Sequence, residues 1–173
     1  MHKNKNRLVR KAVTRAEVYA AIDSERAYQD SMWPEDAPAD PRPLSIGESI
    51  LLIEEYHTRA LIEIDSLQPI RKIAGIAVRC LENHGGSTEH AQGTLSRQEV
   101  YVKLDELCNT HKEEEDLKIF VALAMIKHLM IEARAAWARE RRPALKALEK
   151  IWEIAAVAVR CMEANGAPLR QAA

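Results

Sequence analysis

A thirteen-residue stretch, Ile73 to Gly85, reads Ile-Ala-Gly-Ile-Ala-Val-Arg-Cys-Leu-Glu-Asn-His-Gly and returns as Ile154 to Gly166. The offset is 81, and eight of the thirteen positions are identical. A second echo, Arg15-Ala-Glu-Val-Tyr19 against Arg97-Gln-Glu-Val-Tyr101, lies upstream at an offset of 82. Two echoes in the same order and at nearly the same spacing predict a duplicated unit of about eighty residues, and a repeat of that kind governs any fold assignment. The units are 14–86 and 95–170, joined by a polar, glycine-containing linker at 87–94. A basic arm at 1–13 precedes them, with Lys3, Lys5, Arg7, Arg10 and Lys11.

Each unit reads as three helices. Thr14-Arg-Ala-Glu17, Ser45-Ile-Gly-Glu48 and Ser96-Arg-Gln-Glu99 fit the capping box, in which the hydroxyl accepts from the third backbone N–H and the Glu reaches back. Those three glutamates therefore carry a structural duty. Helix A places Val18, Ile22, Glu25 and Gln29 on one face. Helix B, about 46–66, places Ile50, Ile53, His57, Leu61 and Ile64 on another, with Glu54, Glu55 and Thr58 beside them. Helix C follows the Leu67-Gln68-Pro69 corner with Ile73, Ile76, Ala77, Cys80 and Leu81 inward, and Gly85 is suited to a left-handed stop. The second unit repeats the plan over 96–112, 113–139 and 143–165. The chain is expected to be all-α, a helical bundle of two tandem three-helix repeats with pseudo-twofold symmetry. Further dimerisation makes a homo-oligomer an option.

Composition excludes several classes. A net charge of -1 supplies no global basic field, so nucleic acid is not the default partner. Cys80, Cys108 and Cys161 are an odd count on apolar helix faces, which fits small buried hydrophobes in a reducing compartment. No apolar run reaches membrane-spanning length, and no apolar segment follows the basic start, so a cytoplasmic chain without membrane partners is expected. Prolines crowd 33–44, a loop or lid that the second unit nearly lacks. Glu113-Glu-Glu-Asp116 reads as an acidic helix start, and Trp137 and Trp152 as core or interface aromatics.

Comparing the two units locates a candidate site. Glu25 and Arg26 stand opposite Leu107 and Cys108, Glu54 and Glu55 opposite Lys127 and His128, and Arg71 and Lys72 opposite Trp152 and Glu153. Hydrophobic positions persist while these change, which points to the first unit. A buried carboxylate at Glu25 must be paired, protonated or metal-bound. If helices A, B and C bring Glu25, Glu54 and Glu55 together, these acids are the catalytic candidates. Glu25, Glu54 and Asp30 are then the candidate ligands of Mg²⁺, a hard ion that takes oxygen ligands and substrate phosphates. Arg26, Arg71, Lys72 and His57 are the candidate phosphate-binding groups.

Three segments carry a family resemblance: Ala21-Ile-Asp-Ser-Glu-Arg-Ala-Tyr-Gln-Asp30, Ser45-Ile-Gly-Glu-Ser-Ile-Leu-Leu-Ile-Glu-Glu-Tyr56 and Ile70 to Gly85. With the ending Asn165-Gly-Ala-Pro-Leu-Arg170, they resemble phage-type MazG-like proteins of the all-α nucleoside triphosphate pyrophosphohydrolase superfamily. The resemblance implies a Mg²⁺-dependent hydrolase that converts a nucleoside triphosphate to monophosphate and pyrophosphate. It also implies a Glu-x-x-Glu pair on one helix and a Glu-x-x-Asp pair on the next. Here Glu54 and Glu55 are adjacent, and helix C offers Arg71 and Lys72 at the second pair. An incomplete acid set with added bases suits a second expectation, a non-catalytic anti-defence protein that sequesters a nucleotide or cyclic nucleotide. A helical interaction or assembly protein is the third.

Overall fold

The computed structural model describes residues 12–32, 43–63, 66–110, 117–141 and 143–170. Most of the basic arm, the centre of the proline-rich loop and the acidic run at 113–116 lie outside them. Among the described residues six α-helices follow in order: α1 Arg15–Met32, α2 Ile46–Ile62, α3 Gln68–His84, α4 Arg97–Thr110, α5 Ile119–Arg139 and α6 Leu145–Asn165. The architecture is an all-α bundle.

The expected capping boxes form. Ser45 Oγ accepts from the Glu48 backbone N–H at 3.2 Å while Glu48 accepts from the Ser45 N–H at 2.7 Å. Thr14 with Glu17 and Ser96 with Glu99 repeat this geometry. Pro69 sits in the first turn of α3, where its missing N–H costs nothing. Several expected boundaries move. Helix α2 stops at Ile62, and Leu61, expected inward, is exposed; Ile64 lies outside the described residues. Helix α5 starts at Ile119, because Lys118 is extended (φ -64°, ψ 142°), and α6 starts at Leu145, because Ala144 is not helical (φ -83°, ψ 76°). Gly85 is right-handed (φ -66°), so the left-handed stop expected there is absent. The chain turns over Gly85 and Gly86 without a positive φ at either, and a Cβ on Gly93 would stand 2.3 Å from the Gly86 carbonyl oxygen, so the base of the 87–94 loop closes only with glycine there.

Helices α3 and α6 occupy the centre. The first packs against α1, α2, α4 and α6, the second against α1, α3, α4 and α5, and α2 also meets α5. Ile22, Ile53, Ile70, Ile73, Ile126, Ile151 and Ile154 are fully sealed. Each such side chain stabilises the fold by about 2 kcal/mol, whereas an exposed pair such as Lys150–Glu153 contributes roughly a few tenths. Apolar burial therefore dominates. Cys80, Cys108 and Cys161 are free and buried, as expected. No helix among the described residues is long and apolar enough to cross a membrane.

The two halves meet in reciprocal contacts. The rings of Tyr19 and Tyr101 stack at 4.0 Å. Tyr19 donates to Asp105 at 2.7 Å and Tyr101 donates to Asp23 at 2.7 Å. Arg15 pairs with Asp105 and Glu163, and Arg97 pairs with Asp23 and Glu82. Every residue in the first set has its counterpart in the second at an offset of 81 or 82.

Burial first, and then donation to Asp105 and Asp23, push the Tyr19 and Tyr101 hydroxyls well above the ordinary tyrosine range. A raised pKa favours the protonated phenol in the fold. Stability from that source is complete below about pH 10, where unfolded tyrosines also keep their protons, and falls as pH rises further. Urea unfolding from pH 8 upward should show an alkaline decline that shrinks in a Tyr19→Phe/Tyr101→Phe variant; an unchanged decline refutes the assignment.

Candidate functional site

Glu25 continues the apolar stripe of α1 and is 2% exposed, as its register predicts. Two arginines satisfy it. Arg71 of α3 donates through Nε to Oε2 at 3.1 Å, and Arg170, beyond the end of α6, reaches Oε1 at 3.3 Å and Oε2 at 3.2 Å. The buried carboxylate is therefore answered by two guanidinium groups, which offset the cost of its burial. Arg71 also donates to the Pro168 carbonyl at 2.7 Å, and the Arg170 backbone N–H donates to Ser24 Oγ at 3.0 Å. The C-terminal segment is thus strapped onto α1 and α3. Gly75 makes room for this pairing, since a Cβ there would stand 3.0 Å from Glu25 Cγ.

Around the pair lies a cationic, aromatic rim. The Arg170 guanidinium sits 3.1 Å from the centre of the Tyr28 ring, while Lys72 Nζ and the Arg59 guanidinium lie 4.9 and 5.1 Å from that of Tyr56. Burial lowers the Lys72 pKa; Glu25 opposes this, and Arg170, Arg59 and Arg71 add to it. Burial likewise lowers that of Arg71 and raises that of Tyr56. Arg59 is paired in turn with Glu55. Four cations (Arg59, Arg71, Lys72 and Arg170) thus face two carboxylates (Glu25 and Glu55), an excess of two positive charges.

The remaining expected site residues stand elsewhere. Glu54 pairs with Arg134 of α5 at 3.3 Å on an exposed surface. His57 is buried and its Nε2 lies 2.8 Å from the Leu123 carbonyl, which ties α2 to α5. Arg26 is spent on Glu82, Gln29 and Asp30, and Asp30 also lies near Arg79 and Arg97. Glu25, Glu54 and Asp30 are each answered by different arginines, and among the described residues no three His, Cys, Asp or Glu side chains gather as a metal ligand set. In this arrangement the carboxylates do not fit Mg²⁺. Of the expected groups, Glu25, Arg71 and Lys72 are brought together, with Glu55 at the edge through Arg59. Sequence reasoning missed Arg170, Tyr28, Tyr56 and Arg59; the ending Gly-Ala-Pro-Leu-Arg170 held the first, but no periodicity ties a segment outside a helix to a face.

Comparison with protein-family models, curated proteins and solved structures found no match.

Removing the Glu25 carboxylate leaves the Arg71 charge buried with only a carbonyl partner. Glu25→Ala should lose about 3 kcal/mol in chemical denaturation. Glu25→Leu with Arg71→Trp, which copies Leu107 and Trp152 of the second half, should recover most of it. A double variant no more stable than Glu25→Ala shows that the positions are not interchangeable.

Proposed function

We propose that this chain is a nucleotide-binding protein that holds a phosphate-bearing ligand, linear or cyclic, without turning it over. The supporting observation is the excess of cations at Arg59, Arg71, Lys72 and Arg170 beside Tyr28 and Tyr56. A half-buried lysine whose charged form is disfavoured by burial and by three neighbouring arginines gains stability from an incoming anion. Guanidinium groups suit phosphate because their planar donors can engage two oxygens at once. Aromatic rings beside those cations favour a ligand that carries a base over bare phosphate.

Hydrolysis to monophosphate and pyrophosphate is the reading that the MazG-like resemblance implies. It requires the carboxylates to leave their arginine partners and gather elsewhere. The binding reading requires no such rearrangement, and it is consistent with a phage-type protein that sequesters a nucleotide signal.

Calorimetry against a panel of nucleoside mono-, di- and triphosphates and cyclic nucleotides, with Mg²⁺ and with EDTA, tests both readings. At least one ligand should bind and be recovered intact by chromatography. Its affinity should fall at least about tenfold in Lys72→Glu and in Arg170→Glu. No binding across the panel, or binding untouched by both substitutions, overturns the proposal. Mg²⁺-dependent release of pyrophosphate replaces it with the hydrolase reading.

A further inference from the structure

The chain leaves α6 through Gly166, at φ 112° and ψ 155°, and no other described residue has a positive φ. A side chain there would strain the backbone, so the reversal is built for glycine. Residues 166–170 then run back over α1 and α3, where Ser24, Glu25 and Arg71 meet them. At the matching place in the first half the chain does otherwise. Gly85 is right-handed, the path enters the 87–94 loop, and Glu89, which stands 81 residues before Arg170, is exposed. The return therefore belongs to the end that meets the polar pair.

What holds this segment is polar. None of residues 166–170 is buried, Leu169 is 61% exposed, and Ala167 packs only partly against the core. The Pro168 carbonyl accepts from Arg71, the Arg170 N–H donates to Ser24 Oγ, and the Arg170 guanidinium lies between Glu25 and the Tyr28 ring. A segment with so few apolar contacts opens at far lower cost than the helices beneath it. Closed, it seals the central cation: Arg71 is 2% exposed, with Nε on Glu25 and Nη1 on the Pro168 carbonyl. A phosphate meets Nη1 only after that carbonyl has moved away.

We propose that residues 166–170 are a latch, hinged at Gly166, that opens to admit the phosphate-bearing ligand and closes on it through Arg170. The latch rests on the binding reading above and adds its regulation. Opening frees Arg71 Nη1 and the face of Tyr28 together, while Arg71 Nε still answers Glu25. Closing returns the Arg170 charge to the neighbourhood of Arg71 and Lys72, where a bound anion offsets their mutual repulsion. A ligand that prefers the closed segment shifts it towards closure by the free energy of that preference.

Hydrogen exchange followed by NMR on the full chain tests the latch, with inorganic pyrophosphate and each nucleotide of the calorimetric panel as probes. In the free chain the Arg170 amide should exchange through local opening, at least about tenfold faster than the amides of Ala155 and Ala158 within α6. A bound probe at about ten times its Kd should slow that exchange about tenfold. At equal occupancy Arg170→Gln should lose this protection. Gly166→Ala, which strains the closed backbone, should speed exchange at Arg170 and leave Ala155 and Ala158 unchanged, a sign that the fold is kept. An Arg170 amide that opens only together with α6, a probe that binds and leaves its rate unchanged, or protection that persists in Arg170→Gln overturns the latch while the binding reading stands. Failure of every probe to bind overturns the binding reading, and the latch with it.

Discussion

Everything else in this bundle is arranged by the close packing of α3 against α6. Their buried faces carry small residues at matching positions: Ala74, Ala77 and Cys80 on one, Ala155, Ala158 and Cys161 on the other, all essentially sealed. Small side chains let two helices approach closely enough for the isoleucines around them to interlock, and dense packing makes such contacts specific. From that central pair the other helices take their places. Helices α1 and α4 lie where Arg15 and Arg97 reach Glu163 and Glu82 near the ends of α6 and α3. The outer pair α2 and α5 closes the opposite side. A substitution that widened the α3–α6 contact would displace the first-half ion pair as well, because Arg71 stands on α3 and Arg170 follows directly from α6.

The polar pocket gains meaning from the positions that correspond to it. Where the first half buries Glu25 against Arg71, the second has partly buried Leu107 and buried Trp152, with Lys103 4.4 Å above the indole ring. At the corresponding sequence positions of the second half both side chains are apolar. Replacing a buried ion pair by hydrophobic residues of similar volume is commonly neutral or stabilising. An ion pair where hydrophobic residues commonly serve as well is a place to look for a role other than packing. Ligand binding at the Arg71–Arg170 cluster is such a role, independent of the resemblance.

Helix starts were legible because capping is local: Ser45 with Glu48, Thr14 with Glu17 and Ser96 with Glu99 each lie within four residues. The buried register of α1 was legible for the same reason, down to Glu25 and Gln29. What sequence could not supply was the azimuth of one helix about its neighbour. Glu54 and Glu55 sit on exposed flanks of α2, and a turn of about 100° between successive residues sends them to different partners, Arg134 across the groove and Arg59 on the same helix. Arg170 was hidden for another reason. It lies outside any helix, so no period announces that the chain folds back to deliver it to Glu25.

Two surfaces of α2 thus face different tasks. Arg59 and Tyr56 turn towards the cluster around Glu25, while Glu54, Thr58 and Leu61 turn towards the groove shared with α5. Glu55 stands between them, tied to Arg59 by one helical turn. A phosphate drawn to Arg59 would have to compete with Glu55 for the same guanidinium, so this exposed pair sets how readily the rim yields that cation.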